Sequence, residues 1–214
     1  DKGAYGDILV ASGISVYSLG MTGMTTSIKS FFRLYRYLRI TKPDVVKTWM
    51  LHADLVGGVI SKIVGIKKIF WGIHLSNVKL LPFKTKLVFI LCSLFSHFIP
   101  DKIVCCGSAA KQTMLNNFYS KGKLLIIQNG SDVKRFDKDG AVISRNILSP
   151  TLKQNDYLIG FVSRWDAYKD IPNLLAALNI VIKNRAHIKI LFVGEGLNEN
   201  NNELCQIIGS TGLT

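Results

Sequence analysis

Apolar and polar positions come in blocks along the chain, and the blocks alternate between two periods. "ISVYSLG" (14–20) reads as a strand and 26–40 as a helix; "PDVVKTWM" (43–50) is a strand opened by Pro43. "ADLVGGVISKIVG" (53–65) is a helix closed by Gly65, and "KKIFWGI" (67–73) is the next strand. An apolar helix over 84–98, strand "KIVCCG" (102–107), a helix with Ser108 as N-cap and strand "KLLIIQ" (123–128) follow. Strands that are apolar throughout, separated by helices, predict a parallel sheet covered on both faces.

The rhythm stops over 129–155, which is polar and rich in turn residues, and then restarts. Strand "YLIGFVS" (157–163), a helix over 170–184, strand "HIKILFV" (187–193), the loop "GEG" and a last helix make a fresh βαβ unit. The expected fold class is α/β, with two Rossmann-like domains. The first spans 1–136, a linker covers 137–155, and 156–214 begins a second that is only partly present.

Composition supports a packed core: 48% of residues are hydrophobic and 19% charged. Charge sharpens the picture, because 27 Lys and Arg stand against 14 Asp and Glu, a net +13. Residues 1–110 hold 14 basic against 5 acidic side chains, so the amino-terminal half is the more basic. Such a surface favours phosphorylated substrates, acidic lipid headgroups or nucleic acid. "FFRLYRYLRI" (31–40) interleaves cations with aromatics. It is read as an amphipathic helix packing Phe32, Tyr35 and Leu38, with Arg33, Arg36 and Arg39 facing solvent or a membrane, rather than as a nucleic-acid patch. The run "LVFILCSLFSHFI" (87–99) has 13 residues, too short to span a bilayer, and reads as a buried or interfacial helix. Cys92, Cys105, Cys106 and Cys205 lack metal-ligand spacing and read as thiols in a reducing compartment.

Candidate chemistry gathers where strands end, since ligands of open parallel sheets sit outside the carboxyl ends of the strands. Arg164 follows strand 157–163, and Lys169 starts the next helix. An arginine fork and a mobile lysine suit a diphosphate, although the same side chains also fit a surface ion-pair reading with Asp166 and Asp170. Gly194 and Gly196 in "VGEG" would let backbone approach a ligand. Glu199 occupies the third glycine position of a dinucleotide fingerprint, which argues against a nicotinamide cofactor. Asn129 and Gly130 read as a tight turn into the linker. His74 ends strand 67–73 on the ligand edge, and His52 sits in the loop after strand 43–50. "DKD" (137–139) reads as a solvated turn, and no metal site is expected.

Taken in order, "IIQNGSDVKRF", "IGFVSRWDAYKDIPNLLAA" and "ILFVGEG" resemble glycosyltransferase family 4, the retaining enzymes of the GT-B fold. "KPDVVKTWMLHADLVGGVISKIVGIKKIFWGIH" is similar to the amino-terminal domain of members that build O-antigen and capsule polysaccharide. The resemblance implies a nucleotide-sugar donor, a saccharide or lipid-linked acceptor, transfer with retention and no essential metal or other cofactor. It implies that Arg164 and Lys169 hold the donor diphosphate, that Gly194 and Gly196 lie near the nucleotide, that His74 lies near the donor sugar and that Asn129 and Gly130 lie at the domain junction. It further implies a peripheral position on the inner face of the cytoplasmic membrane, an anionic surface as partner, and no role for nucleic acid. The family's glycine-rich amino-terminal loop would precede Asp1 and its paired-glutamate motif would follow Thr214, so the chain is expected to be part of a longer enzyme and inactive alone. A nucleotide-sugar epimerase of the same fold and a non-catalytic basic module binding membrane or nucleic acid are the alternative readings.

Overall fold

The structure, a computed structural model, describes residues 3, 5–20, 28–136, 152–153, 155–184 and 187–211. Contacts divide the chain into two compact units, Asp1–Ser131 and Asp132–Thr214. The expected linker 137–155, with its "DKD" turn, lies almost wholly outside the described residues.

In the first unit, helices α1 (Gly6–Ala11) and α2 (Ile28–Thr41) precede strand β1 (Val45–Lys47), helix α3 (Leu51–Val64) and strand β2 (Lys68–Ile73). Helix α4 (Phe83–Phe95), strand β3 (Lys102–Cys105), helix α5 (Ser108–Asn116) and strand β4 (Leu124–Ile126) complete it. All four strands are parallel, in the order β1-β2-β3-β4. The inner strands carry the apolar runs: Ile69, Trp71 and Ile73 of β2 and Ile103 and Cys105 of β3 are at most 1% exposed. These five alternate along their strands and share one face of the sheet, while Phe70 and Val104 on the other face are half-buried, as a sheet covered by helices demands. Helix α3 lies close on β2, since a Cβ added at Gly58 would come within 2.6 Å of the Trp71 indole nitrogen.

Several local expectations are corrected. Residues 14–20 form no strand; Tyr17 instead stacks on Tyr37 of α2 at 4.7 Å, and Ser30 Oγ donates to the Leu19 carbonyl. In α2 Tyr35 and Leu38 pack on the core as expected, joined by Leu34 and Tyr37, whereas Phe32 is 68% exposed. Gly107, not Ser108, occupies the N-cap of α5. His52 lies in the first turn of α3 rather than in a loop.

The second unit pairs β5 (Tyr157–Val162) in parallel with β6 (Ile188–Val193) through six residue partners. Between them runs α6 (Ile171–Asn184), and α7 (Asn202–Thr211) follows β6. Ile171, Leu175 and Leu178 repeat at helical spacing and form the core with Leu197 and Leu204. Phe161 and Phe192 meet edge to face across the two strands, 5.8 Å apart.

Candidate functional site

Each unit presents its candidate residues at the carboxyl edge of its own sheet. In the second unit the parallel ladder does not stop at the strand ends. Ser163 N donates to the Val193 carbonyl (2.9 Å) and Trp165 N to the Glu195 carbonyl (2.7 Å), so the loops after β5 and β6 are stitched side by side. That closeness requires glycine. Gly194 has φ +140, and a Cβ there would stand 1.7 Å from the Ser163 carbonyl oxygen; at Gly196 (φ +72) it would stand 2.8 Å from the Trp165 Cβ. Among the described residues the amides of Glu195 and Gly196 make no hydrogen bond, which leaves two donors at the loop.

Arg164 projects from this stitched edge and is mostly exposed. Its Nε donates to Asp166 Oδ2 at 2.9 Å, and Nη2 lies 2.9 Å from the same oxygen. A guanidinium has five N–H donors, so about three remain for a ligand. Asp166 serves twice, because its Oδ1 accepts from Tyr168 N (3.0 Å) and thereby caps the 3-10 turn Ala167–Lys169. The Tyr168 amide, and then the Arg164 hydrogen bond, hold its carboxyl below the usual range. Lys169 ends this turn, just before α6 rather than inside it, and its side chain is exposed. Asp170, the other expected ion partner, adopts a left-handed conformation (φ +48), and its backbone carbonyl accepts Asn173 N and Leu174 N at the start of α6. The structure thus brings Arg164, Gly194 and Gly196 together, with Lys169 on the adjoining turn.

In the first unit, the backbone of the segment after β1 pairs with β2: Thr48 N donates to the Phe70 carbonyl and Met50 N to the Gly72 carbonyl. His74, just past β2, stacks on Trp49 at 4.3 Å, and Lys47 lies over the same indole at 4.5 Å. His74 and His52 line one small pocket of about 90 Å³ with Met50, Leu51 and Thr85. Met50 carries φ +76, an uncommon conformation for a side chain of its size, at the point where the chain turns into α3. Beneath it lies Asp54, fully buried, whose Oδ1 accepts from Thr48 Oγ1 at 2.5 Å and whose Oδ2 has no hydrogen-bond partner among the described residues. Burial pushes its carboxyl up to about 7, against the lowering pull of the Thr48 hydroxyl and the Gly72 backbone.

Asn129 and Gly130 lie beyond β4, exposed, in a stretch with no turn, contrary to the tight turn expected there. A Cβ at Gly130 would meet nothing within 4 Å. Among the cysteines, Cys92 and Cys105 are buried thiols pushed up to about 12 and about 11, chiefly by burial.

The expected ion pair of Arg164 with Asp166 is present, and three residues that sequence reasoning passed over also shape these edges: Asn201, Trp49 and Asp54. Asn201 donates from Nδ2 to the Gly196 carbonyl (2.7 Å) and accepts Leu204 N (3.1 Å), so one side chain both caps α7 and pins the glycine loop. An asparagine ahead of an apolar helical run is the signal that marks it. Asp54 has no such local mark.

No family model matches the chain. Over 181 residues it is 24% identical to UDP-Gal:alpha-D-GlcNAc-diphosphoundecaprenol alpha-1,3-galactosyltransferase of Escherichia coli, covering 83% of this chain and 46% of that protein. Its fold matches Anabaena Alr3699/HepE solved in complex with UDP-glucose, with a TM-score of 0.73 at 17% identity, over 99% of this chain and 56% of that one. A glycosyltransferase from Rickettsia africae ESF-5 matches with a TM-score of 0.68 at 19% identity, over 99% and 55%. The chain therefore spans about half the length of the proteins it matches. At these identities the likeness shows the fold: α/β with parallel sheets, of the GT-B type.

Proposed function

We propose that the chain forms part of a nucleotide-sugar-dependent glycosyltransferase of family 4 that transfers a sugar with retention to a saccharide or lipid-linked acceptor in surface polysaccharide synthesis. The observation that carries this is the stitched carboxyl edge of the second unit. There Arg164 stands over a loop that Gly194 and Gly196 keep close to the β5 end. The likeness in fold to a protein solved with UDP-glucose supports the same reading.

In this reading the donor diphosphate lies against the Gly194–Gly196 backbone, and the free amides of Glu195 and Gly196 donate to it. Arg164 takes one phosphate with the N–H groups that Asp166 leaves open, and Lys169 reaches in from its turn. As the glycosidic bond to the donor breaks, negative charge grows on the leaving diphosphate. Arg164, held by Asp166, stabilises that charge without reorganising, and Lys169 adds to it, the role a metal would otherwise fill, so no metal is required. Asp166 holds the guanidinium in place before the donor arrives. In the first unit, His74, fixed by its stack on Trp49, faces the donor sugar, and Asn129 and Gly130 lie at the junction of the two units. A basic first unit suits an acceptor with its own phosphates and a position on the inner face of the cytoplasmic membrane; nucleic acid has no part in the scheme.

Titration calorimetry with UDP and UDP-glucose tests the clamp. Arg164→Ala should weaken binding at least tenfold with an unchanged circular dichroism spectrum, because Arg164 is exposed and its loss disturbs no core. Equal binding by wild type and variant would remove Arg164 from the donor site.

A further inference from the structure

Helix α4 buries one face and leaves the opposite face bare. Phe89 (3% exposed), Cys92 (0%) and Ser93 (6%) point into the core, while Phe83 (84%), Leu87 (54%), Ile90 (54%) and Leu94 (60%) stand on the other side. At about 100° per residue these four fall within an arc of about 60°. Phe98, just past the helix end and 74% exposed, extends the line. This apolar stripe is the reverse of what a helix packed on a sheet normally shows to water.

A second feature stands beside it. Phe118 is 85% exposed and has φ +63, a left-handed backbone that a bulky side chain adopts only at a cost. Its neighbours enforce that turn. Ser93 Oγ donates to the Asn117 carbonyl (2.5 Å), Asn117 N and Tyr119 N both donate to the Met114 carbonyl, and Ser120 N donates to Ser96 Oγ (3.0 Å). The result is an aromatic ring held out into solvent. Between it and α4 runs a groove of about 450 Å³ lined by Val78, Lys86, Ile90 and Leu94.

Charge decides what covers this surface. From Leu55 to Ser131 the chain has ten lysines and one acidic residue, Asp101. Lys84 and Lys86 bracket the stripe at its first turn. A second copy of the same face would set lysine against lysine, whereas an anionic bilayer offers opposite charge outside and apolar material within. Among the described residues no helix is long and apolar enough to cross a membrane, so a bilayer contact of α4 would run along the surface.

We infer that α4 and Phe118 are the membrane-docking surface of this chain. Phe83, Leu87, Ile90, Leu94, Phe98 and Phe118 enter the boundary between headgroups and acyl chains, and Lys84 and Lys86 sit on anionic headgroups. The inference gives an address to the membrane part of the proposed function and rests on no other part of it, since docking needs no donor.

The test is co-sedimentation of the chain with vesicles of equimolar phosphatidylglycerol and phosphatidylcholine, and with phosphatidylcholine alone. The wild type should partition onto the anionic vesicles at least tenfold more strongly, and 0.5 M salt should weaken that binding. Leu87→Asp with Leu94→Asp should reduce it at least tenfold, and Lys84→Gln with Lys86→Gln several-fold. Phe118→Ser, which leaves α4 intact, should also reduce it several-fold. All variants should keep the circular dichroism spectrum and UDP affinity of the wild type, which separates loss of docking from loss of the donor site. Three results would overturn the inference: a wild type that ignores anionic vesicles, α4 variants that bind them as well as the wild type, or a dimer in light scattering that the Leu87→Asp, Leu94→Asp pair splits.

Discussion

Replacing Asp54 with asparagine should remove a pH dependence of stability built into the first unit. In the unfolded chain the carboxyl titrates near 3.8, whereas burial in the fold pushes it up to about 7. Between those values the folded state holds a proton that the unfolded state has released. Stability therefore falls as pH rises from about 4 to about 7 and is level above that window. At about 1.4 kcal/mol per unit, the whole fall is on the order of 4 kcal/mol. Asparagine keeps an oxygen for the Thr48 hydroxyl and has nothing to titrate. The difference in unfolding free energy between wild type and Asp54→Asn thus isolates this residue from every other carboxylate. Urea unfolding at pH 5 and pH 8, followed by the fluorescence of Trp49 and Trp71 in a Trp165→Phe background, measures it. The variant should gain about 3 kcal/mol on the wild type between the two pH values. Thr48→Val, which removes the donor that favours the ionised form, should move the midpoint of the wild-type transition upward. A difference constant to within about 0.5 kcal/mol would refute the reasoning, because it would mean that Asp54 ionises in the fold as easily as in water.

Two further outcomes follow from the same geometry. Gly194→Ala should destabilise the second unit by about 3 kcal/mol or more, since the new Cβ meets backbone rather than a movable side chain and breaks the bonds that join Ser163 and Trp165 to the β6 loop; urea unfolding followed by Trp165 fluorescence reads it. Trp49→Ala should free the His74 ring, seen in proton NMR as movement of its Hδ2 and Hε1 resonances from ring-shifted to random-coil positions, while Trp49→Phe retains part of the shift.

How much of this was legible in the sequence depends on whether the deciding contacts are local. "KKIFWGI" announces β2 because an apolar run of that length must be covered on both sides, and the structure buries Ile69, Trp71 and Ile73 on one face and half-buries Phe70 on the other. "ISVYSLG" has much the same composition, yet a strand is a property of pairing, and residues 14–20 find no partner strand. Tyr17 takes a ring contact with α2 instead. The edges themselves were readable, since an arginine directly after an apolar strand can only emerge at its carboxyl end. The double roles of the residues that position it were not. Asp166 reads as a surface ion partner and Asn201 as a solvated loop residue until the second partner of each appears. Asp54 looks like an ordinary acidic residue in the first turn of a helix, and its partners are Thr48 from the segment after β1 and the Gly72 backbone of β2, neither adjacent to it in sequence.

Glycine shows where the limit of such reading lies. Gly130 and Gly194 both follow an apolar strand; the first reads as part of a tight turn into the linker, the second as a point of close approach. The ladder between β3 and β4 ends with Ile127 N on the Cys105 carbonyl, so by Gly130 the chain has left its neighbour, and a side chain there would meet open space. The ladder between β5 and β6 instead continues past both strand ends, and it sets Gly194 directly against the Ser163 carbonyl. What distinguishes them is the length of the shared register, which belongs to two segments about thirty residues apart and is written in neither alone. A substitution at Gly130 therefore tests only a ligand contact, whereas one at Gly194 tests the framework that holds Arg164.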